Sequence, residues 1–476
     1  MAHAHGVHPA PGPGEASFVS PSKPMRILAL LLLLTVCATA QTVRRIDGYR
    51  GIWFTLGQFS EYGDKYSGGL GTYTAKHRPL AAYSPTADKT FFVYGGTTEQ
   101  GERHLLAMIG AYDHATGLVE KPVVVHDKLT VDDPHDNPSL SIDAEGRLWV
   151  FVSGRGQRRP GFIYRSREPH SIDAGFEQTL EGEFTYPQPW YVPGKGFLLL
   201  MTRYTAGREL YWQSSPDGLD WTPAEKIVSG GHYQMSARRG DCVATAYNAH
   251  PNRSVDQRTN LYYLESCDMG RTWQTIDGET ITPPLDLLDS PALIADYRSS
   301  GRLVYLKDMH FEADGSPVLL FITSRDYRAG PSGDPRRWTI ARRDQGAWSF
   351  RQAMPASHNY DMGTFAIEHD GTWRLTAPTE PGPQRWGAGG EVALWSSSDR
   401  GETWQKIRNV TADSPRNHSY VRRPLNAHPD FDFFWADGDP GGLSISRMYF
   451  ADRSGKAVFQ LPYEMERAVE MPIRIE

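Results

Sequence analysis

Apolar residues in this chain gather in short runs, each closed by a cluster of polar or turn-forming residues. The order polar cluster, apolar run, tight turn, apolar run recurs in KHRPLAAYSPTADKTFFVYGG from Lys76, HDNPSLSIDAEGRLWVFVSGR from His135 and YPQPWYVPGKGFLLLMTR from Tyr186. It returns in HYQMSARRGDCVATAYNAH from His232, SPALIADYRSSGRLVYLKD from Ser290, HNYDMGTFAIEHDGTWRLTAPTE from His358 and HSYVRRPLNAHPDFDFFWADGD from His418. Runs this short, rich in β-branched and aromatic residues and bounded by Gly, Pro, Asn and Asp, predict strands; helical periodicity is almost absent. A spacing of roughly 50–70 residues is that of a four-stranded sheet repeated around a ring. The pattern predicts an all-β, seven-bladed β-propeller, with six blades as the alternative count. RGIWFTL, near Arg50, would help to close the ring.

A second repeat is finer. S-x-D-x-G-x-T-W occurs at Ser266–Trp273 and again at Ser397–Trp404, with a looser copy, SPDGLDW, at Ser215–Trp221. Each residue has a mechanical task. Asp accepts hydrogen bonds from the amides of the turn, Gly supplies positive φ, and Trp wedges between sheets. The pattern resembles the Asp box of sialidase-like propellers, which marks the turn between the third and fourth strands of a blade. Its aspartates therefore read as scaffold.

Composition adjusts this picture in few places. The chain has 476 residues with 46 Gly and 34 Pro, suiting many strands and tight turns, and 12% aromatic residues to fill a large core. A net charge of −6 gives no support to nucleic-acid binding. MRILALLLLLTVCATAQ, from Met25, reads as a secretory signal with Ala38-Thr39-Ala40 before the cleavage point. We therefore expect residues 1–40 to be leader and signal, 41–476 to be one propeller domain, and the mature protein to be secreted or periplasmic and free of the membrane. A retained membrane anchor is the alternative. Cys242 and Cys267 flank two strand-like runs that can pair, so a disulfide and two buried thiols both remain open.

Strand direction suggests where chemistry gathers. In each repeat the start of the first strand and the end of the second share one rim, and the octapeptide turns fall on the other. Tyr186, Tyr233, His135, His358, Asp361, His418 and Arg422 stand at first-strand starts. Arg155, Arg203, Tyr247, His250, Asp308, His310, Glu380, Asp437 and Asp439 stand at second-strand ends. Such Arg and His neutralise a sugar carboxylate, and Tyr or His moves protons. There is no metal-ligand spacing, phosphate-cradling loop or nucleophile elbow, so no cofactor is required. Asp361, Asp437 and Asp439 could join carbonyls around a structural Ca²⁺.

YGDKYSGGLGTYTAKHRPLA, HDNPSLSID, FTYPQPW, NLYYLESCDMGRTW, HNYDMG and NAHPDFDFFWADGD together resemble the BNR-4 repeat family. That resemblance runs from about Asp47 to Tyr463. It implies a secreted seven-bladed propeller whose relatives include ulvan lyases, which cut uronic-acid polysaccharides by β-elimination. Matched by motif, the lyase site falls on His135, Arg155, Tyr186 and Arg203, with Arg155 replacing the family's second His. The resemblance implies that the arginines, with His135, bind the uronate and stabilise its enolate. Tyr186 or His135 takes the C5 proton, and Tyr247 or His250 protonates the leaving oxygen; Tyr233, His358, Asp361, His418 and Arg422 would contact substrate. The partner would be an acidic polysaccharide or oligosaccharide. Two other classes remain open: a glycoside hydrolase, either sialidase-like, with Arg155, Arg203 and Arg422 imitating its triad and Tyr360 or Tyr420 with Glu380 its pair, or acting on another glycoside through His or carboxylates, and a non-catalytic carbohydrate-binding propeller.

Overall fold

Seven antiparallel sheets follow one another along the chain in the computed structural model, which describes residues 43–99, 102–230, 233–286 and 290–475. Their first strands are Ala81–Ser84, Pro138–Ile142, Thr185–Val192, Gln234–Arg239, Leu303–Phe311, Thr364–Ile367 and Asn417–Arg422, and they number the sheets 1 to 7 below. The first three strands of each sheet pair in sequence or spatial succession, so each sheet is built on an antiparallel meander. From sheet 2 to sheet 6 the first strands of neighbouring sheets pack side by side. The ring closes where Leu425 pairs with Ala82: Tyr83 N–H donates to the Leu425 carbonyl and Leu425 N–H to that of Ala81, both at 2.9 Å. The result is the all-β propeller architecture expected from the repeats. RGIWFTL supplies Gly51–Thr55, which pairs with Ser67–Gly69 and with Ser444–Ser446 from the sheet 7 region.

Six of the seven repeats follow the predicted strands. The fifth slips by half a sheet: Leu293–Ala295 pairs with the third strand of sheet 4, and Leu303–Phe311 is the first strand of sheet 5 rather than its second. Both segments are apolar, and only long-range pairing decides which sheet takes each. Asp308 and His310 consequently leave the expected rim. Asp308 is buried, ion-paired with Arg78 and hydrogen-bonded to Thr364 at 2.8 Å.

Large aromatic residues fill the space between sheets. Trp53, Trp149, Trp273, Trp338, Trp373 and Trp435 are all buried, each contributing about 2–3 kcal/mol by leaving water. In the octapeptide turns Asp268 accepts Thr272 N–H at 2.9 Å and Thr272 Oγ1–H at 2.7 Å, while Ser266 Oγ accepts Gly270 N–H at 2.8 Å. Asp399, Thr403, Ser397 and Gly401 repeat these bonds. Both turns join the third and fourth strands of their sheets. Gly270 has φ +88°, and a Cβ there would sit 2.4 Å from Trp212 of the preceding sheet, so both backbone and packing require glycine. Cys242 and Cys267 are joined as a disulfide at this same end.

A short segment, residues 70–76, crosses the middle of the ring and is held from several sides. Asn137 of sheet 2 donates to the carbonyls of Leu70 and Tyr73. Gln188 of sheet 3 donates to the Lys76 carbonyl at 3.0 Å, and Arg422 of sheet 7 binds the carbonyls of Thr72, Thr74 and Ala75. Lys76 Nζ donates to the Leu306 carbonyl of sheet 5 at 2.9 Å. These bonds satisfy a buried, irregular backbone that would otherwise cost about 1–3 kcal/mol per unpaired group. The predicted leader and signal, and His232, lie outside the described residues. Among the described residues no helix is long and apolar enough to cross a membrane.

Candidate active site

The crossing segment forms the floor of a cavity. Tyr73 and Lys76 rise from the floor, and Tyr66, His135, Tyr186, Arg208, Tyr233, Arg258, Tyr305, Lys307 and Tyr360 complete the wall. Phenols and cations alternate. The Arg258 guanidinium lies 4.6 Å from the Tyr233 ring centre and 4.4 Å from that of Tyr305, and donates to Tyr360 Oη at 2.7 Å. Arg208 lies 5.9 Å from the Tyr233 ring, and Lys76 Nζ is also 5.9 Å away.

These charges sort the tyrosines. Burial raises the phenols of Tyr66 and Tyr305, each to about 12, and pushes those of Tyr73, Tyr186 and Tyr360 well above the ordinary value. Tyr233 goes the other way. Burial alone would raise it, but Arg208, Arg258 and the Tyr186 hydroxyl, which donates toward it, together hold it below the ordinary tyrosine value. The Tyr186 and Tyr233 rings are 5.8 Å apart, edge to face. The cavity thus pairs one phenol biased toward ionisation with one biased toward keeping its proton.

His135 stands on a 3₁₀ turn, Pro134–Asp136, capped by Asp133. Asp133 accepts its backbone N–H at 3.0 Å and its Nδ1–H, and also pairs with Arg155 at 2.7 Å and Arg159 at 2.8 Å. That carboxylate fixes the tautomer, leaving Nε2 facing Tyr73 Oη at 3.4 Å. Burial holds His135 below its ordinary value despite Asp133, so the ring is neutral. The cations are crowded as well: burial pushes Lys307 down to about 7, while burial with Lys307, Arg258 and Arg422 pushes Lys76 well below a free lysine. An anion entering here would relieve both.

Of the residues singled out from sequence, Tyr186, His135 and Tyr233 meet in the cavity. Arg155 stands behind His135 on Asp133. His250 packs its ring 4.9 Å from that of Tyr233. Buried His358 accepts Tyr360 N–H at 3.1 Å. Asp361 lies beneath, accepting the amides of Gly389, Ser357 and His358, and burial raises it to about 6. Arg422 works from below as an anchor of the crossing segment.

Three others sit elsewhere. Arg203 turns to Glu183 at 2.8 Å and covers Tyr211; Tyr247 stacks on Tyr262 inside sheet 4 at 5.0 Å; His418 bonds Trp435 and Ser414 at 2.8 and 3.0 Å. Their side chains leave the strand on the face turned from the cavity. Asp361, Asp437 and Asp439 do not converge on one point, and their oxygens accept N–H and O–H donors.

Sequence reasoning passed over Arg208, Arg258, Lys76 and Lys307. Arg208 opens the third strand of sheet 3 (Arg208–Ser215) and Arg258 immediately precedes that of sheet 4 (Thr259–Ser266). Third strands begin on the same rim where second strands end, so their positions were available from the pattern.

A closed ring of stacked antiparallel sheets with a polar cavity at its centre places the protein among the β-propellers. More specifically, the chain matches the BNR repeat-containing family over residues 103–372 and belongs to it. Among solved structures it is similar to an ulvan lyase, a polysaccharide lyase of family PL25 seen bound to GlcA(1-4)Rha3S. That structure is 16% identical with a TM-score of 0.66, over 86% of this chain and 96% of the other. The polysaccharide lyase Uly1 is 11% identical with a TM-score of 0.58, over 87% of this chain and 98% of the other. No curated protein matches the sequence.

Proposed function

We propose that this protein is a secreted, carbohydrate-active enzyme, a polysaccharide lyase that cleaves a uronic-acid glycan by β-elimination. The observation that carries the reading is the Tyr186–Tyr233 pair sharing a cation-rich cavity with Arg208 and Arg258, both of which favour the ionised form of Tyr233. Similarity in fold to an ulvan lyase and to the polysaccharide lyase Uly1 agrees with it.

In this reading Arg208, Arg258 and Lys307 hold the uronate carboxylate. They stabilise the enolate-like charge that develops when C5 loses its proton. Tyr233, as phenolate, takes that proton. The electron pair forms the C4–C5 double bond, the C4–O4 bond breaks, and Tyr186 gives its proton to O4. His135, neutral and held by Asp133, accepts from substrate hydroxyls or from Tyr73. Arg155 acts through Asp133 rather than on the sugar. This assignment shifts the base from Tyr186 or His135, the two candidates the family resemblance implied, to Tyr233.

The test is a screen of the purified chain against uronate polysaccharides, with and without sulfate, followed by the ultraviolet absorbance of unsaturated uronyl ends. Tyr233→Phe and Tyr186→Phe should each lower the rate by about 10²-fold or more, the usual range for a lost acid or base. Products that carry a solvent oxygen and no double bond would make the protein a hydrolase. Binding without turnover would make it a recognition module. Full activity in Tyr233→Phe would remove that residue from the mechanism.

A further inference from the structure

Far from the cavity, where the first and last sheets meet, a second set of donors converges. His114 follows the third strand of sheet 1 (Leu106–Asp113), and His428 and Asp430 lie in the turn between Asn417–Arg422 and Phe433–Gly438 of sheet 7. One ligand-capable atom from each of the three lies within 4.8 Å of the others, and the two imidazole rings are 3.9 Å apart between centres. Among the described residues no other group of His, Cys, Asp and Glu converges in this way.

The hydrogen bonds around the cluster leave the donors turned inward. His114 Nε2 is engaged with Thr90 Oγ1 at 2.9 Å, while its Nδ1 is buried without a hydrogen-bond partner. A buried ring nitrogen with no partner is costly unless something fills the place. His428 Nδ1 takes the Asp430 N–H at 3.2 Å, a long bond, and lies 3.7 Å from the Asp430 carboxylate. The Tyr83 ring packs on both imidazoles, at 5.2 and 5.0 Å, and His114 N–H is fixed on the Asp88 carbonyl at 2.9 Å.

We propose that His114, His428 and Asp430 bind a divalent transition-metal ion, Zn²⁺ by its chemistry, and that the ion clips sheet 1 to sheet 7. Two imidazole nitrogens and one carboxylate form a donor set suited to zinc. Ca²⁺ and Mg²⁺ call for all-oxygen cages. With Nδ1 on the metal, His114 donates Nε2–H to Thr90, the outer-shell bond that orients a ligating histidine. Three protein ligands leave one position for water, and the exposed Asp430 carboxylate gives the ion its way in. The site stands beside the Leu425–Ala82 pairing that closes the ring, so a metal bond there adds a side-chain link to the backbone bonds across the seam. Nothing in the cavity chemistry depends on it.

The experiment uses the full chain, stripped with chelator and titrated with Zn²⁺ against a chromophoric chelator, with thermal unfolding read in parallel. The expected result is one equivalent bound and a raised unfolding midpoint, with Ca²⁺ failing to displace the ion. Asp430→Asn, a change at an exposed side chain that leaves the core untouched, and His428→Gln should each weaken binding by about tenfold or more. The midpoint should then no longer respond to Zn²⁺. No saturable binding, or the same affinity in wild type and both variants, would overturn the proposal.

Discussion

At one end of sheet 4, Ser266, Asp268, Gly270 and Thr272 bond to one another within eight residues of chain. At the other end, Tyr233 and Arg258 meet Tyr186 and Arg208 from sheet 3 and Lys307 from sheet 5. The first end is closed by local hydrogen bonds and a wedged tryptophan. The second is held open by charges that neighbouring sheets bring together. Local closure stabilises the ring without chemistry, while converging cations perturb proton affinities at the cost of burying charge. The comparison predicts that the two ends respond to different insults.

Acid should separate them most. Burial holds His77 and His358 down to about 3 and His418 to about 4, against about 6.5 in an unfolded chain. Between those values the unfolded chain binds more protons than the folded one. Stability is therefore present above about pH 6.5 and falls as the pH drops toward 4, by up to about 1.4 kcal/mol per pH unit for each histidine. His77, 5.7 Å from the Tyr186 ring, and His358, bonded to Tyr360 N–H, adjoin the cavity. Hydrogen exchange at pH 4.5 should show first strands near His77 and His358 opening before the octapeptide turns; uniform opening would erase the distinction.

Trp273→Ala strikes the other end. The side chain is buried and holds the turn against the core of sheet 4, so its loss should cost about 3–5 kcal/mol in denaturant unfolding. Well below the midpoint, the titration of Tyr233 should remain that of the wild type. A shifted titration would show that the ends communicate.

Arg258→Gln reverses the experiment. The guanidinium favours the charged phenolate, so removing it raises the Tyr233 value. Ultraviolet difference titration should show a tyrosine that ionises early in the wild type losing that advantage, so that less phenolate is present at any given pH. The same variant tests the proposed base, since turnover should fall and the limb on which activity rises with pH should move to higher pH.

How far each end could be read in the sequence follows from the same contrast. The octapeptides state their own hydrogen bonds, so the role of Gly270 was legible from eight letters, while their placement between third and fourth strands was implied by the resemblance to the Asp box. The strand pattern gave six sheets in register. It failed at Leu293–Ala295, whose partner strand lies in sheet 4 and is chosen by burial that no local signal carries. That slip hid Tyr305 and Lys307. Tyr186, His135 and Tyr233 were found because aromatic and imidazole groups at strand starts are conspicuous. Arg208 and Arg258 were missed although the rim rule reaches them, because only two of the three rim positions in each sheet were considered. Arg203 and Tyr247 were misplaced by side-chain alternation: one residue along a strand turns a group from cavity to core.

The smallest effect is the most discriminating test of how the repeated turns work. Asp268 accepts both the amide and the hydroxyl of Thr272, with Ser266 Oγ as a third donor. Asp217, in the looser copy, has no threonine at the matching place and accepts the amides of Leu219 and Asp220 at 2.8 and 3.0 Å, with Ser215 Oγ at 3.1 Å. Asp268→Ala should therefore destabilise by about 1–2 kcal/mol, as for a lost helix cap, and Asp217→Ala by less. If the hydroxyl is the difference, Thr272→Val should bring the first turn to the level of the third, and Asp217 variants should be unmoved. Equal losses at Asp268 and Asp217 would mean that the amides alone close these turns and that threonine in the octapeptide serves only to direct the strand that follows.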